Sequence, residues 1–395
     1  MAGSVGSDDE SLASLPAGPR GAGGRICPGR LLHSGASVAD TTSDWGDVQE
    51  KQNAPSFPSM VLVGHQKAVC KASFSPKGLH VATASYDFTA RLFDAETGAC
   101  EHIFSGHHAA VHWVDVSPDS SNILTASADR TARIFSMATG QCEMVLEGHR
   151  GELTMGTFSA DGRLALTASV DRTARLFNVG SGKCQHKFAG HKAGISMATF
   201  SPVGSTVLTA SQDGIARLFA LETGECTQSL EGHVGRLYSA TFSADGRSIL
   251  TASSDKTCRL FMADTGECDK VFEGHGDSIY AASFSPDAQR VLTACGDGLV
   301  RIFDVSTGAC ERTLDGSTSA AVHTACFSPD SRRILLATDD RCVKVFVADT
   351  GECVNAFDGH GDHVYDAMFA ADGCRVLTAS DDCTAKIFAV ADRDQ

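Results

Sequence analysis

Downstream of residue 60, apolar and polar side chains alternate in short runs that are separated by turn residues. Val81–Ser85 and its copies combine this alternation with β-branched residues, which is typical of half-buried strands. Asp-Gly pairs such as Asp161–Gly162 and Thr-Gly pairs such as Thr97–Gly98 predict tight hairpin turns, because glycine tolerates a positive φ. No segment keeps a helical period over about ten residues. The pattern therefore predicts an all-β fold of short strands joined by hairpins.

The same order of motifs recurs throughout this part of the chain. Each unit has a Gly-His pair, then V-x-x-A-x-F-S-P, L-T-A-S-x-D, T-A-R-L-F and T-G-x-C segments. Six Gly-His pairs begin at residues 64, 106, 148, 190, 232 and 274, so the step is 42 residues. The seventh unit has Gly316–Ser317, and the eighth has Gly359–His360, one residue late. A period of about 40–45 residues with four strands per unit indicates a β-propeller.

Over residues 64–388 these motifs resemble the WD40 repeat family. The resemblance implies a propeller of eight blades, each with four antiparallel strands, in which one repeat spans the outer strand of one blade and the inner three strands of the next. One departure is systematic, because Phe stands where the family's Trp ends the third strand. The eight residues are Phe93, Phe135, Phe177, Phe219, Phe261, Phe303, Phe346 and Phe388.

The count of strands predicts how the ring closes. The last inner triplet ends at Phe388, which leaves too few residues for another outer strand. Met60–Val63 precede the first Gly-His pair as the outer strands precede the others, and we expect them to complete blade eight, since the sheet edge would otherwise stay open. A seven-bladed ring with one unit left over is the alternative. The predicted organisation is a disordered Gly-, Ser- and Pro-rich tail over residues 1–55 and a propeller over residues 56–395.

Charge and cysteine usage narrow the classes of function. A formal net charge of −15 disfavours nucleic acid as a partner, because the phosphates would be repelled. The N-terminus lacks a secretory signal and no segment reaches the roughly 18 apolar residues of a membrane helix, so we expect a cytoplasmic protein with no membrane partner. No C-x-x-C pair occurs, and seven cysteines occupy one equivalent position per repeat. The sequence therefore predicts no disulfide, no metal site and no cofactor.

One His, one Ser and one Asp recur together in six units. The sets are His65, Ser85 and Asp87; His107, Ser127 and Asp129; His149, Ser169 and Asp171; His191, Ser211 and Asp213; His233, Ser253 and Asp255; and His360, Ser380 and Asp382. A Ser-His-Asp hydrolase needs such a set once, so six copies favour a structural role. In WD40 proteins these residues share hydrogen bonds that the Trp indole completes. Because Phe cannot donate that bond, the resemblance implies triads one link shorter here.

Two units break the pattern of the triads. Unit six has Cys295 in place of the Ser, whereas unit seven has Ser317 in place of the His, Thr338 in place of the Ser, and Asp340 as its Asp. We expect blade seven to be the loosest part of the ring; the alternative is that its loop, Gly316–Ala321, binds a partner.

A basic residue also recurs in the third strand of every unit. The resemblance implies that it has a structural role, and the alternative is a ring that binds phosphate. These residues are Arg91, Arg133, Arg175, Arg217, Arg259, Arg301, Lys344 and Lys386.

The resemblance also implies where partners would bind. In a WD40 propeller the Gly-His loops and the turns that carry the Asp open on one face, called the top. The positions that flank the first apolar residue of strand one, and the position before the turn Asp, point into that opening. Here they hold all four tyrosines together with histidines and charged residues. The predicted partner-binding residues are Tyr86, His112, Arg236, Tyr238, Tyr280, His323, His363, Tyr365 and Asp381. Tyrosine and arginine are enriched at interface hot spots.

These observations favour a non-catalytic scaffold that binds other proteins, through a peptide or loop received on the top face. Units such as LTASADRTARIF and LTASSDKTCRLF also resemble WD-repeat proteins that assist the assembly and ciliary transport of outer-arm axonemal dynein, and they resemble centriolar and other WD40 scaffolds as well. A narrower hypothesis is therefore such an assembly or transport factor in cilia. An enzyme on a propeller frame is a hypothesis of another class, but no blade shows the cluster of acids or metal ligands that it would need. The oligomeric state stays open.

Overall fold

A computed structural model describes residues 59–316 and 320–390 of the chain. Every regular element within these ranges is a β-strand, and the described residues include no helix long and apolar enough to cross a membrane. The predicted tail over residues 1–55, with Trp45, lies outside the described residues, as does part of the Gly316–Ala321 loop.

The thirty-two strands of the described residues form eight separate four-stranded antiparallel sheets, which are the eight blades of the propeller. Blade one contains β2 (Val69–Phe74), β3 (His80–Ser85), β4 (Ala90–Asp94) and β5 (Cys100–Phe104), and blade two contains β6 (Val111–Val116), β7 (Asn122–Ser127), β8 (Ala132–Ser136) and β9 (Cys142–Leu146). Blade three contains β10 (Leu153–Phe158), β11 (Leu164–Ser169), β12 (Ala174–Asn178) and β13 (Cys184–Phe188), and blade four contains β14 (Ile195–Phe200), β15 (Thr206–Ser211), β16 (Ala216–Ala220) and β17 (Cys226–Leu230).

The remaining four blades repeat this arrangement. Blade five contains β18 (Leu237–Phe242), β19 (Ser248–Ser253), β20 (Cys258–Met262) and β21 (Cys268–Phe272), and blade six contains β22 (Ile279–Phe284), β23 (Arg290–Cys295), β24 (Leu299–Asp304) and β25 (Cys310–Asp315). Blade seven contains β26 (Val322–Phe327), β27 (Arg333–Thr338), β28 (Val343–Val347) and β29 (Cys353–Phe357). Blade eight contains β30 (Val364–Phe369), β31 (Arg375–Ser380), β32 (Ala385–Ala389) and β1 (Ser59–Leu62).

Blade eight is built from both ends of the described chain. β1 pairs antiparallel with β32, so that Met60 lies opposite Ile387 and Leu62 lies opposite Ala385. The Leu62 side chain is buried and packs in one cluster with Ala385 and Ile387. The outer strand of this blade thus lies one residue earlier than the Met60–Val63 segment that the strand count pointed to.

The Phe residues that end the third strands fill the space between neighbouring blades. None of the eight is more than 5% exposed. Phe135 of blade two packs against Phe104 of blade one with ring centroids 5.0 Å apart, and Phe219 of blade four lies 5.1 Å from Phe188 of blade three. Burial of one such ring stabilises the fold by about 1.5–3 kcal/mol relative to an exposed ring. Phe–Phe contacts of this kind join neighbouring blades at four junctions.

Every blade carries a β-bulge in its first strand. In blade five the register shifts between Leu237 and Ser239, so Tyr238 has no partner residue on β19. The corresponding shifts occur in the other seven blades. A bulge interrupts the strict alternation of side chains and re-aims one of them. The second residue of each first strand is consequently free to differ between blades without disturbing the core.

Candidate functional site

The first strands of the blades enclose a cavity on the propeller axis. Its volume is about 350 Å³, and residues from the first strands of seven blades line it. The bulged second residue of each first strand supplies one ring of side chains around this channel. In blade order these residues are Cys70, His112, Thr154, Ser196, Tyr238, Tyr280, His323 and Tyr365.

Three of the small residues in this ring bond to the backbone of the next blade. The Thr154 hydroxyl donates to the Ile195 carbonyl at 3.0 Å, and the Ser196 hydroxyl donates to the Leu237 carbonyl at 2.8 Å. The Cys70 thiol lies 3.1 Å from the Val111 carbonyl. On blades one, three and four the ring position therefore ties adjacent blades together.

Four consecutive blades place large rings at the same position. We call Tyr238, Tyr280, His323 and Tyr365 the aromatic arc. Neighbouring ring centroids are 5.2 Å, 5.4 Å and 6.4 Å apart along the series. These are ordinary distances for edge-on and offset aromatic pairs. All four side chains are half-buried and line the axial cavity, so the arc offers a continuous aromatic wall with polar tips.

Carboxylates on the top face hold the far end of the aromatic arc. The His323 ring contacts Asp339 through Nε2 at 2.6 Å, and the Tyr365 hydroxyl donates to Asp381 at 3.0 Å. The imidazole Nδ1 of His363 lies 3.3 Å from the same Asp339 carboxylate. Two histidines from neighbouring blades thus share one carboxylate. These contacts fix the orientation of the rings before any partner arrives.

A charged pair and an indole lie next to the arc in the same cavity. The Lys71 ammonium is 3.0 Å from the Asp366 carboxylate and 4.6 Å from the centroid of the Trp113 ring. Lys71 belongs to blade one and Asp366 to blade eight, so the pair bridges the two blades at which the ring closes. Trp113 therefore shares the cavity with the arc, although it belongs to blade two.

Burial changes the acidity of several groups around the cavity. It raises the pKa of Tyr280 to about 12, with the neighbouring Tyr238 as a further cause, and it also raises the pKa of Tyr238 itself. Burial lowers the pKa of His112 to about 4. Both phenols and the imidazole are consequently neutral near pH 7. The phenols can act there as hydrogen-bond donors and apolar contacts, but not as phenolate nucleophiles.

The structure distributes the predicted partner-binding residues unevenly. It brings Tyr238, Tyr280, His323 and Tyr365 together at the cavity, with His363 and Asp381 at its rim. Tyr86 and His112 pack against each other with centroids 5.7 Å apart, but they are only 7% and 5% exposed. They therefore offer little surface to a partner in this conformation. Arg236 is half-buried and is not part of the cavity lining.

Sequence reasoning missed some residues of this site. Asp339 occupies the same position before the turn Asp as Asp381, so the rule that selected Asp381 would also have found Asp339. Trp113 and Lys71 follow the bulged residue of their strands. Strict alternation of side chains does not predict that two successive residues face the channel, whereas the bulge explains it.

The repeated His and Asp residues contact each other as the motif implied, but the hydroxyl is a different one. In blade one His65 Nδ1 lies 2.8 Å from Asp87, and His65 Nε2 lies 2.7 Å from the Thr83 hydroxyl rather than from Ser85. The Ser85 hydroxyl instead donates to the Lys67 carbonyl and accepts from the Asp87 amide. Thr83 and Ser85 lie two residues apart in one strand and point to the same side, and the His ring reaches the nearer hydroxyl.

The same correction applies to the other five sets. The His rings contact a threonine in each of them, whereas Ser127, Ser169, Ser211, Ser253 and Ser380 bond to the neighbouring loop or turn. The threonines are Thr125, Thr167, Thr209, Thr251 and Thr378, at 2.7–2.9 Å from Nε2. The Asp contacts at Nδ1 are 2.8–3.1 Å long.

The triad carboxylates are strongly stabilised as anions. Burial opposes the ionisation of Asp171, but hydrogen bonds from His149 and Thr173 outweigh it and lower its pKa well below the usual range. Burial lowers the pKa of His149, and the contact with Asp171 offsets only part of that effect. Since His149 binds Asp171 through one ring nitrogen and Thr167 through the other, neither nitrogen is left to act on a substrate.

Blades four and six replace part of this network. In five blades a Thr two residues after the Asp donates to its carboxylate, for example Thr173 to Asp171 at 2.6 Å. Blade six has Leu299 there, and Arg301 instead binds Asp297 at 2.9 Å. His275 keeps its contact with Thr293, but its Nδ1 has no hydrogen-bond partner. Blade four shows the same substitution, with Ile215 and a contact of 3.4 Å between Arg217 and Asp213.

The comparisons with known proteins agree with this architecture. The sequence profile described as "WD domain, G-beta repeat" matches eight segments, residues 56–94, 98–136, 140–178, 182–219, 224–261, 266–304, 308–346 and 351–388. The chain is also similar to the crystal structure of the computationally designed Ika8 protein, at 24% identity and a TM-score of 0.75 over 84% of this chain and 98% of that one. That likeness shows the fold alone. WD40 propellers are generally non-catalytic and generally bind other proteins. With eight matched repeats that cover most of its length, the chain belongs to the WD40 repeat family.

Proposed function

We propose that this protein is a non-catalytic interaction scaffold and that the aromatic arc on the top face receives a peptide or loop of a partner protein. The observation that carries the proposal is the contrast within one ring of positions. Where Thr154 and Ser196 tie neighbouring blades together, blades five to eight hold half-buried rings that line the cavity.

The chemistry of the arc supports this proposal. Tyrosine side chains bury a large apolar area at low entropic cost and keep a hydroxyl for a hydrogen bond, which is why they are frequent at hot spots. Asp339 and Asp381 orient His323 and Tyr365 in advance, and such preorganisation reduces the entropy lost on binding. A peptide side chain fits a cavity of about 350 Å³.

The geometry of the triads supports a scaffold over an enzyme on a propeller frame. The triad His side chains of blades one, two, three, five and eight are at most 1% exposed, and both nitrogens of each ring contact an Asp or a Thr. Within the described residues no group of three or more His, Cys, Asp or Glu side chains is placed to hold a metal ion. The narrower hypothesis of an axonemal dynein assembly or transport factor rests on the repeat sequences alone. The cytoplasmic location stays a prediction from sequence.

The proposal is tested by affinity purification and mass spectrometry with the full chain. Proteins recovered with the wild type should be lost from the Tyr238→Ala/Tyr280→Ala variant and retained by Thr154→Ala/Ser196→Ala, which changes the same ring positions on blades three and four. Circular dichroism melts must show that both variants stay folded. Undiminished recovery with the tyrosine variant would place the principal site elsewhere. Axonemal dynein chains among the lost proteins would support the narrower hypothesis.

A further inference from the structure

A second surface on the top face is distinguished by charge rather than by aromatic rings. Blades two to five carry basic residues in the loops after the Gly-His pairs and in the turns around the triad Asp. We call these residues the basic crescent: Arg130, Arg150, Arg172, Lys192, Arg236 and Lys256. Arg236 is half-buried and the other five are exposed. Outside the triads, the loops and turns of these blades hold three carboxylates, Glu147, Glu152 and Glu231, and only Glu152 follows its Gly-His pair.

The matched positions of the next three blades have the opposite charge. They hold Asp277 on blade six, Asp339 on blade seven, and Asp362 and Asp381 on blade eight, with Arg341 as a basic residue. The top face is thus divided into a positive part on blades two to five and a negative part on blades six to eight. The whole chain has a net charge of −15, so the charge of the basic crescent is opposite in sign to that of the molecule.

The cations of the crescent do not serve the fold through ion pairs. No ion pair of the described residues includes Arg130, Arg150, Arg172 or Lys192, whereas Arg217 and Arg301 on third strands bind triad carboxylates. Four long cationic side chains that lie on neighbouring blades and lack an internal partner repel one another. An anionic ligand would relieve that repulsion.

The backbone of the turn does not require an arginine at this position, where other blades have Phe88 or Cys383 at a similar φ. Arg130 and Arg172 follow the triad Asp at φ of 74° and 72°, in the left-handed region. Blades four and six have Gly214 and Gly298 at this position, with φ of 82° and 81°. Glycine adopts such a conformation without the steric cost that a Cβ brings. The fold accepts glycine there, so the arginines are not required for the turn.

We infer that the basic crescent is a docking surface for an acidic, extended segment of a partner protein, separate from the aromatic arc. A protein segment fits better than a nucleic acid. The adjoining carboxylates of blades six to eight and the net charge of −15 repel a long phosphate backbone, whereas a short acidic segment needs to cover only the crescent. Charge complementarity of this kind chiefly raises the association rate and sets specificity.

The test measures binding of fluorescein-labelled octaglutamate to the full chain by fluorescence anisotropy at low salt. The crescent variant is Arg130→Gln/Arg150→Gln/Arg172→Gln/Lys192→Gln. The control variant, Arg163→Gln/Lys183→Gln/Arg247→Gln/Arg332→Gln, removes equal charge from turns that open on the opposite face, where the Arg163 and Arg247 side chains are 83% exposed. We expect the crescent variant to weaken binding about tenfold or more and the control variant to change it less than about twofold.

Three results would overturn the inference. The first is no binding of octaglutamate to the wild type at low salt, and the second is an equal loss in both charge variants. The third is tighter binding of a single-stranded RNA of the same charge, which would indicate a nucleic-acid surface. The Tyr238→Ala/Tyr280→Ala variant should bind octaglutamate as the wild type does, so failure of the arc and failure of the crescent are distinguishable. Arg172→Gly should weaken binding without lowering the melting temperature, because glycine relieves the left-handed turn.

Discussion

Blade three and blade six share one strand register and differ at the positions that face the top of the propeller. In both blades the first strand is bulged after its first residue and pairs with the second strand in the same way. In blade three Asp171 is held by His149 and Thr173, whereas in blade six Asp297 is held by Arg301. Both turns hold a carboxylate in place, and the comparison teaches that two different sets of side chains can do so.

The same two blades differ in what they present to solvent. Blade three places Thr154 at the channel, bonded to the next blade, and Arg172 on the rim. Blade six places Tyr280 at the channel and Gly298 in the corresponding turn. Positions that repeat in all blades therefore build the ring, and positions that differ between these blades give each part of the top face its own chemistry.

The largest effect is expected from removing the carboxylate of a complete triad. Asp171→Ala orphans the buried Nδ1 of His149 and the hydroxyl of Thr173, so it should lower the free energy of unfolding by about 1–3 kcal/mol. Asp340→Ala in blade seven should cost less, because Asp340 is exposed and its unit has Ser317 in place of the His. Urea melts of both variants check the order. A larger loss for Asp340→Ala would contradict the account of the triads.

Exchanging one residue between the two blades should have a smaller effect. Thr173→Leu gives blade three the residue of blade six and removes the 2.6 Å hydrogen bond to Asp171, at a cost of about 0.5–1.5 kcal/mol. The reciprocal change, Leu299→Thr, adds a hydroxyl beside Asp297, whose carboxylate Arg301 already binds. Its effect should be within about 0.5 kcal/mol. Denaturant melts measure the free energy of unfolding of both variants. Equal losses of that free energy would contradict the interpretation that the Arg301 contact in blade six replaces the threonine hydrogen bond.

The smallest effect is a change in pH dependence at blade six. Burial, followed by the charge of Arg301, lowers the pKa of His275 to about 4 from 6.5. The unfolded state therefore binds a proton that the folded state does not bind, and stability falls as the pH decreases from about 6.5 towards 4. His275→Asn should reduce the difference in melting temperature between pH 7 and pH 5. If that difference is unchanged, His275 does not titrate as the structure indicates.

The fold was largely predictable, because the same order of motifs recurs in eight units and each unit predicts the same four strands. Eight units with their turns and Gly-His pairs determine the blades, and the segment around Met60 pairs with the last described strand. The choice of the Ser instead of Thr83 was wrong for a simple reason. Residues two apart in a strand lie on the same face. The sequence pattern does not show how far the His65 ring extends along that face, and this distance decides which hydroxyl the ring contacts.

The site was less predictable, because it depends on features that the sequence pattern does not show. The bulge directs Lys71 and Trp113 towards the channel, and alternation alone would not predict that Cys70 and Lys71 both line it. Tyr86 satisfies the rule for a top-face position, yet it is buried against His112. Of the third-strand arginines, Arg217 and Arg301 bind the turn Asp, in the two blades that have Ile215 and Leu299 in place of the Thr.

The most direct test of the central claim is site-specific photo-crosslinking. A benzophenone side chain is introduced in place of Tyr280, within the aromatic arc, and in a second sample in place of Val203, which is 65% exposed in a turn on the opposite face. The account predicts that a partner captured by the wild type crosslinks from the first position and not from the second. Crosslinking from the position of Val203 alone would contradict it and place the interaction on the other face of the propeller.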